Sequence, residues 1–233
     1  MLLAMAAGTK NPTPLCQPAR AMLERVHDIR GSLLDISMKS VVLFALLATL
    51  LLASPARADW KPVEKVETYA ISGQSGPELY ASIGEAGPLL GKGRVIAHTN
   101  FKLTWTRDYK PQGGACVIKS ARPKLIITYT LPKPAAPLSP AVQKSWEIFA
   151  AGLAAHEKVH GAAIVEMVHK IEAISVGLTV ADDPGCSKIR TELTRQLAQI
   201  SLAQRQASRD FDKVEFGPGG NLQKLVLAFV NGG

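Results

Sequence analysis

Residues 153–165 read LAAHEKVHGAAIV, and this stretch determines the expected fold. His156 and His160 stand four residues apart, with Glu157 directly after the first histidine. On an α-helix, side chains at this spacing lie one above the other, so both imidazoles can bind one ion. Two histidines with an intervening glutamate are typical of a Zn2+ site in which the glutamate is the general base for a water molecule. The stretch therefore predicts a helix with two metal ligands, His156 and His160, and a catalytic base, Glu157.

The residues around this motif continue the helical period. Apolar side chains recur at three- and four-residue steps over residues 146–171, which is the pattern of a helix with one buried face. Ser139 followed by Pro140 predicts the start of this helix, and Gly177 predicts its end. A turn follows at ADDPGCS, and a second helix is expected over about residues 187–212. The two helices are predicted to form an antiparallel hairpin.

The segment before the helices has the period of strands. The stretches VETYAISG, NFKLTWTRDY and KLIITYTL alternate apolar and polar residues or are rich in β-branched and aromatic side chains. GQSGPEL, GPLLGKGR and KPQGGAC are predicted as turns, and the Pro-rich connector at 132–140 separates the strands from the helices. The expected fold is α+β: a small antiparallel sheet followed by a long antiparallel helical hairpin that carries HExxH.

The N-terminal part of the chain has the pattern of an export signal. The stretch MKSVVLFALLATLLLASPARA has a basic start, an apolar segment of 12 residues and a small-x-small cleavage site that ends at Ala58. A membrane span needs roughly 18 or more apolar residues. Cleavage after Ala58 and release to the periplasm or the medium are therefore predicted, with a retained signal anchor as the alternative. The predicted organisation is a non-native or misannotated extension at 1–37, a signal peptide at 38–58 and a single domain at 59–233.

Composition excludes one class of partner and agrees with export. Residues 59–233 carry 21 Lys and Arg against 16 Asp and Glu, a net charge of +5. The excess is scattered rather than gathered in a basic stripe, so nucleic acid is not an expected partner. Cys116 and Cys186 remain after the leader, and an even pair in an exported chain favours one disulfide, with two free buried thiols as the alternative.

A third metal ligand is expected, because a catalytic zinc normally has three protein ligands. Glu166 stands at the spacing of a third ligand in related zinc motifs, but the unbroken helical pattern places it on the solvent face. In the predicted hairpin, Glu192 lies roughly 20 Å from the histidines along the helix axis. Asp210 and Asp212 lie near the height of the histidines. Either aspartate could bind the metal or orient a histidine, and the alternative is that both are exposed acids at a helix end.

These features together resemble the bacterial family of domain of unknown function 922, described as predicted secreted zinc-dependent proteases. The resemblance spans about residues 66–220 and rests on the order of its features, which are the TYAISG strand, TWTRDY, Cys116 before a strand that ends in TLP, WEIF at 146–149, LAAHEKVH, Cys186 and the pair Phe211-Asp212. The resemblance implies a compact zincin-like α+β fold and a disulfide between Cys116 and Cys186.

The end of the chain departs from the family's pattern. Members often close with Tyr-Asp-x-x-Thr-x-His-Gly, whereas this chain reads FDKVEFGPG, with Phe211 for Tyr, Glu215 for Thr and Gly217 for His. If that histidine is the family's third ligand, this protein lacks it. Asp212 is then the best candidate for the third zinc ligand, before Asp210.

The expected function is that of an exported zinc metallopeptidase that hydrolyses a peptide or protein substrate through a metal-activated water. Two alternatives stand beside it. One is a non-catalytic metal-binding protein of the cell envelope, and the other is a helical interaction protein in which the two histidines are core residues. His98 and His169 are expected to be structural. The sequence indicates neither a specificity pocket nor an oligomeric state, and no stable membrane span is expected after signal cleavage.

Overall fold

The computed structural model describes residues 60–232. The predicted extension at 1–37 and the predicted signal peptide at 38–58, with its cleavage site after Ala58, lie outside the described residues. Within 60–232, none of the helices combines the length and the apolar character needed to cross a bilayer. The elements in chain order are β1 (Val63–Ile71), α1 (Gly76–Ala86), β2 (Leu89–Leu90), β3 (Gly93–Arg94), β4 (His98–Gln112), β5 (Ala115–Pro134), α2 (Pro140–Ser175), β6 (Thr179–Val180), α3 (Lys188–Phe216) and α4 (Asn221–Asn231).

The predicted α+β fold is confirmed, and its sheet is mixed rather than wholly antiparallel. Strands β4 and β5 form a long antiparallel hairpin that turns at Gly113 and Gly114, whose φ angles of 59° and 80° favour glycine. Strand β1 pairs in parallel with β5, so that the sheet order is β1-β5-β4. Parallel neighbours need a long crossover, which here contains α1 and the β2–β3 ribbon. Strand β4 therefore lies at an edge of the sheet.

Helix α1 forms where a turn was predicted. Its first turn reads SGPE, and the backbone N–H of Glu78 donates to Ser75 Oγ at 3.4 Å. The Glu78 carboxylate reaches back and accepts a hydrogen bond of 2.7 Å from the backbone N–H of Gln74. This arrangement is close to a capping box, which satisfies N–H groups that a helix start leaves unpaired. The turn prediction was wrong because it gave weight to Gly and Pro and overlooked this capping pattern.

Helices α2 and α3 form the predicted hairpin. Helix α2 begins at Pro140 as predicted, and Ser139 makes no side-chain capping bond. Its last helical residue is Ser175, and Gly177, with a φ of 86°, takes the left-handed conformation typical of a glycine that ends a helix, as predicted. Helix α3 runs to Phe216, beyond the predicted end at 212. One stripe of α2 packs on β5 in a cluster whose buried members are Leu125, Ile127, Tyr129, Ile164, Met167, Val168 and Ile171. Each fully buried apolar side chain contributes about 1.5–3 kcal/mol, so this cluster holds α2 firmly on the sheet.

Residues within and after HEKVH fix the position of α2 against the sheet. A Cβ on Gly161 would lie 2.1 Å from Tyr129 Oη, so only glycine permits this close approach. Tyr129 Oη donates a hydrogen bond of 2.8 Å to Glu64, and Lys158 forms an ion pair with the same carboxylate. The hydrogen bond from Lys158 lowers the pKa of Glu64. Lys158, a charged residue inside the motif, therefore ties α2 to β1 and β5.

A disulfide closes the loop end of the hairpin. Cys116, in β5, is bonded to Cys186, in the turn before α3, with a Cα–Cα distance of 5.2 Å. The predicted pairing is confirmed. Next to it, the buried Asp183 carboxylate accepts hydrogen bonds from the backbone N–H groups of Ser187 and Ile189 at 2.8 and 2.9 Å. These bonds satisfy N–H groups at the start of α3 and anchor that end of the helix.

Candidate metal centre

Three side chains from the two long helices meet at the open end of the hairpin. His160 Nε2 lies 3.2 Å from His156 Nε2 and 2.8 Å from Asp212 Oδ1. The third edge of this triangle, from His156 Nε2 to Asp212 Oδ1, measures 3.2 Å. His156, His160 and Asp212 form a group that could hold a metal ion. The structure thus brings both predicted histidines together with the preferred one of the two candidate aspartates.

The size of this triangle fits a transition-metal ion. In a tetrahedral zinc site with bonds of about 2.0–2.1 Å, the ligand atoms lie about 3.3 Å apart. The observed edges of 3.2, 3.2 and 2.8 Å are close to that separation. Imidazole nitrogen and carboxylate oxygen are also ligands that zinc accepts. If these three side chains bound an ion with tetrahedral geometry, a fourth position would stay open for water or substrate.

Aromatic rings hold the two imidazoles in place. The ring of Phe211 stacks on His156 with centroids 4.8 Å apart and meets His160 edge-on at 5.4 Å. Phe216 approaches His156 from another side, at 5.7 Å. His156 is buried, with an exposed fraction of 5%. These contacts restrict the orientation of the imidazoles, whose Nε2 atoms both point at Asp212.

The second nitrogen of His156 faces a carboxylate that sequence reasoning missed. His156 Nδ1 is buried and has no hydrogen-bond partner among the described residues, and Glu215 Oε2 lies 3.8 Å from it. The other oxygen of Glu215 accepts a hydrogen bond of 2.9 Å from the Asn221 side chain. A carboxylate behind a ligating histidine fixes the tautomer that exposes Nε2 to the metal. The spacing of three between Glu215 and Asp212, one turn along the same helix, was the available signal.

Glu157 lines the same cleft and is buried, with an exposed fraction of 5%. Thr99 Oγ1, from β4, donates a hydrogen bond of 2.5 Å to Glu157 Oε2 and lies 3.1 Å from the carbonyl oxygen of Glu157. This contact fixes the carboxylate against the edge strand. A carboxylate held beside a metal site can accept a proton from water. Thr99 had no recognisable signal in the sequence, since 58 residues separate it from Glu157.

A cleft of about 600 Å³ opens over the three candidate ligands. Helix α2 forms its floor, the start of β4 and the residues before it form one wall, and the last turns of α3 form the other. Its apolar lining includes Leu90, Ile96 and Phe101. A concave site with apolar walls and a few convergent polar groups is the usual form of a ligand-binding site.

The other acidic candidates lie apart from the three-residue group. Asp210 is exposed and accepts a hydrogen bond of 2.8 Å from Gln206. Glu166 is exposed and pairs with Lys170 at 2.7 Å, as its predicted solvent position requires. Glu192 pairs with Arg195 at 2.7 Å.

The remaining histidines have different surroundings. His169 packs against Trp60 with ring centroids 4.6 Å apart, a structural contact. His98 lines the cleft, although it was expected to be structural only. Gly217 caps the end of α3, where an added Cβ would lie 2.6 Å from the carbonyl oxygen of Lys213. This backbone therefore has no room for a histidine side chain at position 217 without a shift.

Comparison with known proteins identifies the family. The model of a family described as "Bacterial protein of unknown function (DUF922)" matches residues 66–220, and the chain belongs to this family. No curated protein and no solved structure matches the chain. Since the family's description assigns no activity, a functional proposal has to rest on the geometry of the site.

Proposed function

We propose that this member of the DUF922 family is a zinc-dependent metallopeptidase. The observation that carries the proposal is the triangle of His156 Nε2, His160 Nε2 and Asp212 Oδ1, with edges of 3.2, 3.2 and 2.8 Å. Its two histidines are on α2, the helix that also carries Glu157, and Asp212 is on α3. Two histidines and one carboxylate occur in catalytic zinc sites, which keep one position open, and also in non-haem iron sites. The HExxH spacing on α2, with Glu157 beside the first histidine, favours zinc. His156, His160 and Asp212 would hold the ion.

The chain's own residues supply the proton transfers that hydrolysis needs. A bound zinc ion would act as a Lewis acid that makes water nucleophilic near neutral pH. Glu157 accepts the proton of the attacking water and passes it to the leaving amide nitrogen as the peptide C–N bond breaks. Thr99 holds the Glu157 carboxylate in place, and the Glu215 carboxylate, 3.8 Å from His156 Nδ1, favours the tautomer that has its proton on Nδ1 and leaves Nε2 free for the ion.

The position of β4 suits an extended peptide as substrate. Strand β4 is at the edge of the sheet, and its first residues, including Thr99, line the cleft. An extended peptide can pair with a free strand edge through main-chain hydrogen bonds, which do not depend on the peptide's sequence. A substrate bound in this way would pass directly over Glu157.

Metal content is the first test of this proposal. The full-length gene is expressed, and the purified protein is assayed by plasma mass spectrometry beside His156→Ala and the matched control His169→Ala. Near one zinc per chain is expected in the wild type and in His169→Ala, with loss in His156→Ala. A wild type that binds no zinc after reconstitution would refute the proposal and favour the helical interaction protein.

Catalysis is tested separately with Glu157→Gln. We expect this variant to keep its zinc and to lose about 10²–10⁴-fold in peptide cleavage, the usual contribution of a general acid–base group. Glu166→Gln, an exposed change on the same helix, should retain wild-type cleavage. Zinc binding without Glu157-dependent cleavage would instead support the non-catalytic metal-binding alternative.

The proposed location is the periplasm or the medium. The Cys116–Cys186 disulfide fits an oxidising compartment, since such bonds persist in exported proteins and are rare in the cytosol. If the signal peptide is cleaved after Ala58, N-terminal sequencing of the exported protein will begin at Asp59. A mature protein that retains residues 38–58 would contradict this prediction and favour the signal anchor.

A further inference from the structure

The charged side chains of the cleft are divided between two sets. The acidic ones, among the residues that the structure describes there, are Glu157 and Asp212, and both belong to the proposed catalytic machinery. The basic ones are Arg94, Arg205 and Arg209, and no proposed step uses them. A cleft whose remaining formal charges are all positive has a preference for negatively charged ligands.

Two of the arginines share a helix face with a candidate metal ligand. Arg205 and Arg209 precede Asp212 by seven and three residues in α3, and both are exposed. At 1.5 Å of rise per residue, Arg209 lies about 4.5 Å and Arg205 about 10.5 Å from Asp212 along the helix axis. These two guanidinium groups therefore follow one wall of the cleft away from the candidate metal site.

Neither of these arginines is neutralised within the described chain. Arg209 donates a hydrogen bond to the neutral side chain of Gln206, and no ion pair within residues 60–232 involves Arg205 or Arg209. On the opposite wall, Arg94 donates a hydrogen bond of 2.6 Å to the carbonyl oxygen of Gly87, which leaves its charge uncompensated. Guanidinium groups bind carboxylates with two parallel hydrogen bonds, so they favour Asp and Glu over their amides.

The spacing along α3 also indicates where a substrate's acidic residues would lie. An extended peptide advances about 3.3 Å per residue. For a peptide that runs along this wall of the cleft, Arg209 and Arg205 would lie about one and three peptide residues from Asp212, on the same side of the cleaved bond.

We propose that this cleft selects acidic peptides, with Asp or Glu one to three residues from the cleaved bond on the side bound by Arg205 and Arg209. The position of the acidic residues relative to a cleaved bond rests on the proposed peptidase function. The binding preference itself needs only the cleft and its arginines. It would make the protein a peptidase for acidic segments rather than a general one.

The test uses the full-length protein and two kinds of peptide. A randomised dodecapeptide mixture is digested with the zinc-loaded protein, and the cut positions are read by mass spectrometry. We expect Asp and Glu to be enriched about tenfold over Asn and Gln within three residues on one side of the cut. Separately, the binding of a fluorescein-labelled peptide with four Glu, and of its all-Gln counterpart, is measured by anisotropy with Glu157→Gln.

The variant Arg205→Glu/Arg209→Glu should remove both the enrichment and the difference between the Glu and Gln peptides. Its control, Lys144→Glu/Lys188→Glu, changes the net charge by the same amount at exposed positions outside the cleft and should keep both. Circular dichroism and zinc content show whether each variant is folded. Glu has a helix propensity close to that of Arg, so the helix should be preserved.

The outcomes separate this inference from the proposed function. Cleavage with no preference for acidic residues would overturn the inference and leave the peptidase intact. Absence of cleavage, with binding of the Glu peptide that depends on Arg205 and Arg209, would support the acidic ligand and refute the peptidase. Absence of both cleavage and charge-dependent binding would overturn both.

Discussion

The two ends of helix α3 each have an aspartate beside them, and the two carboxylates are held in opposite ways. Asp183, before the first turn, is 2% exposed and accepts hydrogen bonds from three backbone N–H groups, those of Ser187, Lys188 and Ile189. Asp212, in the last turns, has a side chain that is 45% exposed and faces two imidazole nitrogens. Asp183 therefore has hydrogen-bond donors for its carboxylate, whereas Asp212 faces two nitrogen atoms that can act either as donors or as acceptors.

This difference separates stability from function within one helix. At the disulfide end, the Asp183 carboxylate has its hydrogen bonds, and a covalent bridge closes the loop. At the open end, three atoms with lone pairs lie about 3 Å apart, and neutral imidazoles cannot satisfy all three edges with hydrogen bonds. An arrangement that is poor for hydrogen bonding alone is good for a shared cation. We therefore expect changes at the two ends to affect different measurements.

The largest effect on stability is expected from the disulfide. Cys116→Ala/Cys186→Ala opens a bridge between residues 70 apart in sequence, which in the chain-entropy account costs about 4 kcal/mol in the free energy of unfolding. The measurement is urea denaturation at constant zinc, with zinc per folded chain determined in parallel. The zinc content should stay at the wild-type level, because the bridge is at the far end of the hairpin. Loss of zinc from still-folded protein would show that the two ends are coupled.

The next largest effect on stability is expected at Gly161, where α2 packs against the sheet. Gly161→Ala would place a Cβ 2.1 Å from Tyr129 Oη, and overpacking of this kind typically costs about 1–3 kcal/mol. Because Gly161 follows His160 directly, the shift should also weaken zinc binding. A double-mutant cycle with Tyr129→Phe is the check, since removal of the hydroxyl should recover part of the loss. Strict additivity of the two changes would contradict the assigned contact.

Smaller effects are expected from the two aspartates. The change at Asp183 should affect stability, and the change at Asp212 should affect zinc binding. Asp183→Ala should lower the melting temperature by several degrees and leave zinc binding unchanged, because it removes the cap of α3. Asp212→Ala should leave the melting temperature of the zinc-free protein nearly unchanged. It should instead abolish the zinc-dependent rise in melting temperature that the proposed site predicts for the wild type. That rise corresponds to about 2.7 kcal/mol in the free energy of unfolding at a hundredfold excess of zinc over Kd. Thermal scans with and without zinc measure both; a zinc-dependent rise retained in Asp212→Ala would remove this residue from the ligand set.

The sequence predicts the features that depend on local periodicity. The two helices, the motif on the buried face of α2 and the pairing of Cys116 with Cys186 follow from spacing and cysteine count. The height of Asp212 beside the histidines follows from counting residues around a hairpin. Thr99 could not be predicted in this way, because it meets Glu157 only through a contact between β4 and α2. The spacing of Glu215 from Asp212 predicts a shared helix face, but its position beside Nδ1 of His156 depends on how α3 packs on α2. The parallel pairing of β1 likewise depends on a crossover rather than on the pattern of the strand itself.

The smallest effect is expected when the pH is lowered, and it concerns the stability that Asp183 contributes at the start of α3. Burial would raise the pKa of Asp183, but the hydrogen bonds from the N–H groups of Ile189, Lys188 and Ser187 outweigh it, and the pKa lies below its ordinary value of 3.8. A lowered pKa in the folded state means that the ionised carboxylate stabilises the protein above pH 3.8, and that this contribution is lost as pH falls through the folded value. The melting temperature of the zinc-free wild type should therefore exceed that of Asp183→Asn at neutral pH, and the gap should narrow below pH 3.8. Asp210→Asn, measured in parallel, accounts for the loss of a surface charge on the same helix. A gap that stays constant down to pH 2 would mean that Asp183 stabilises α3 by its shape and packing rather than by its charge.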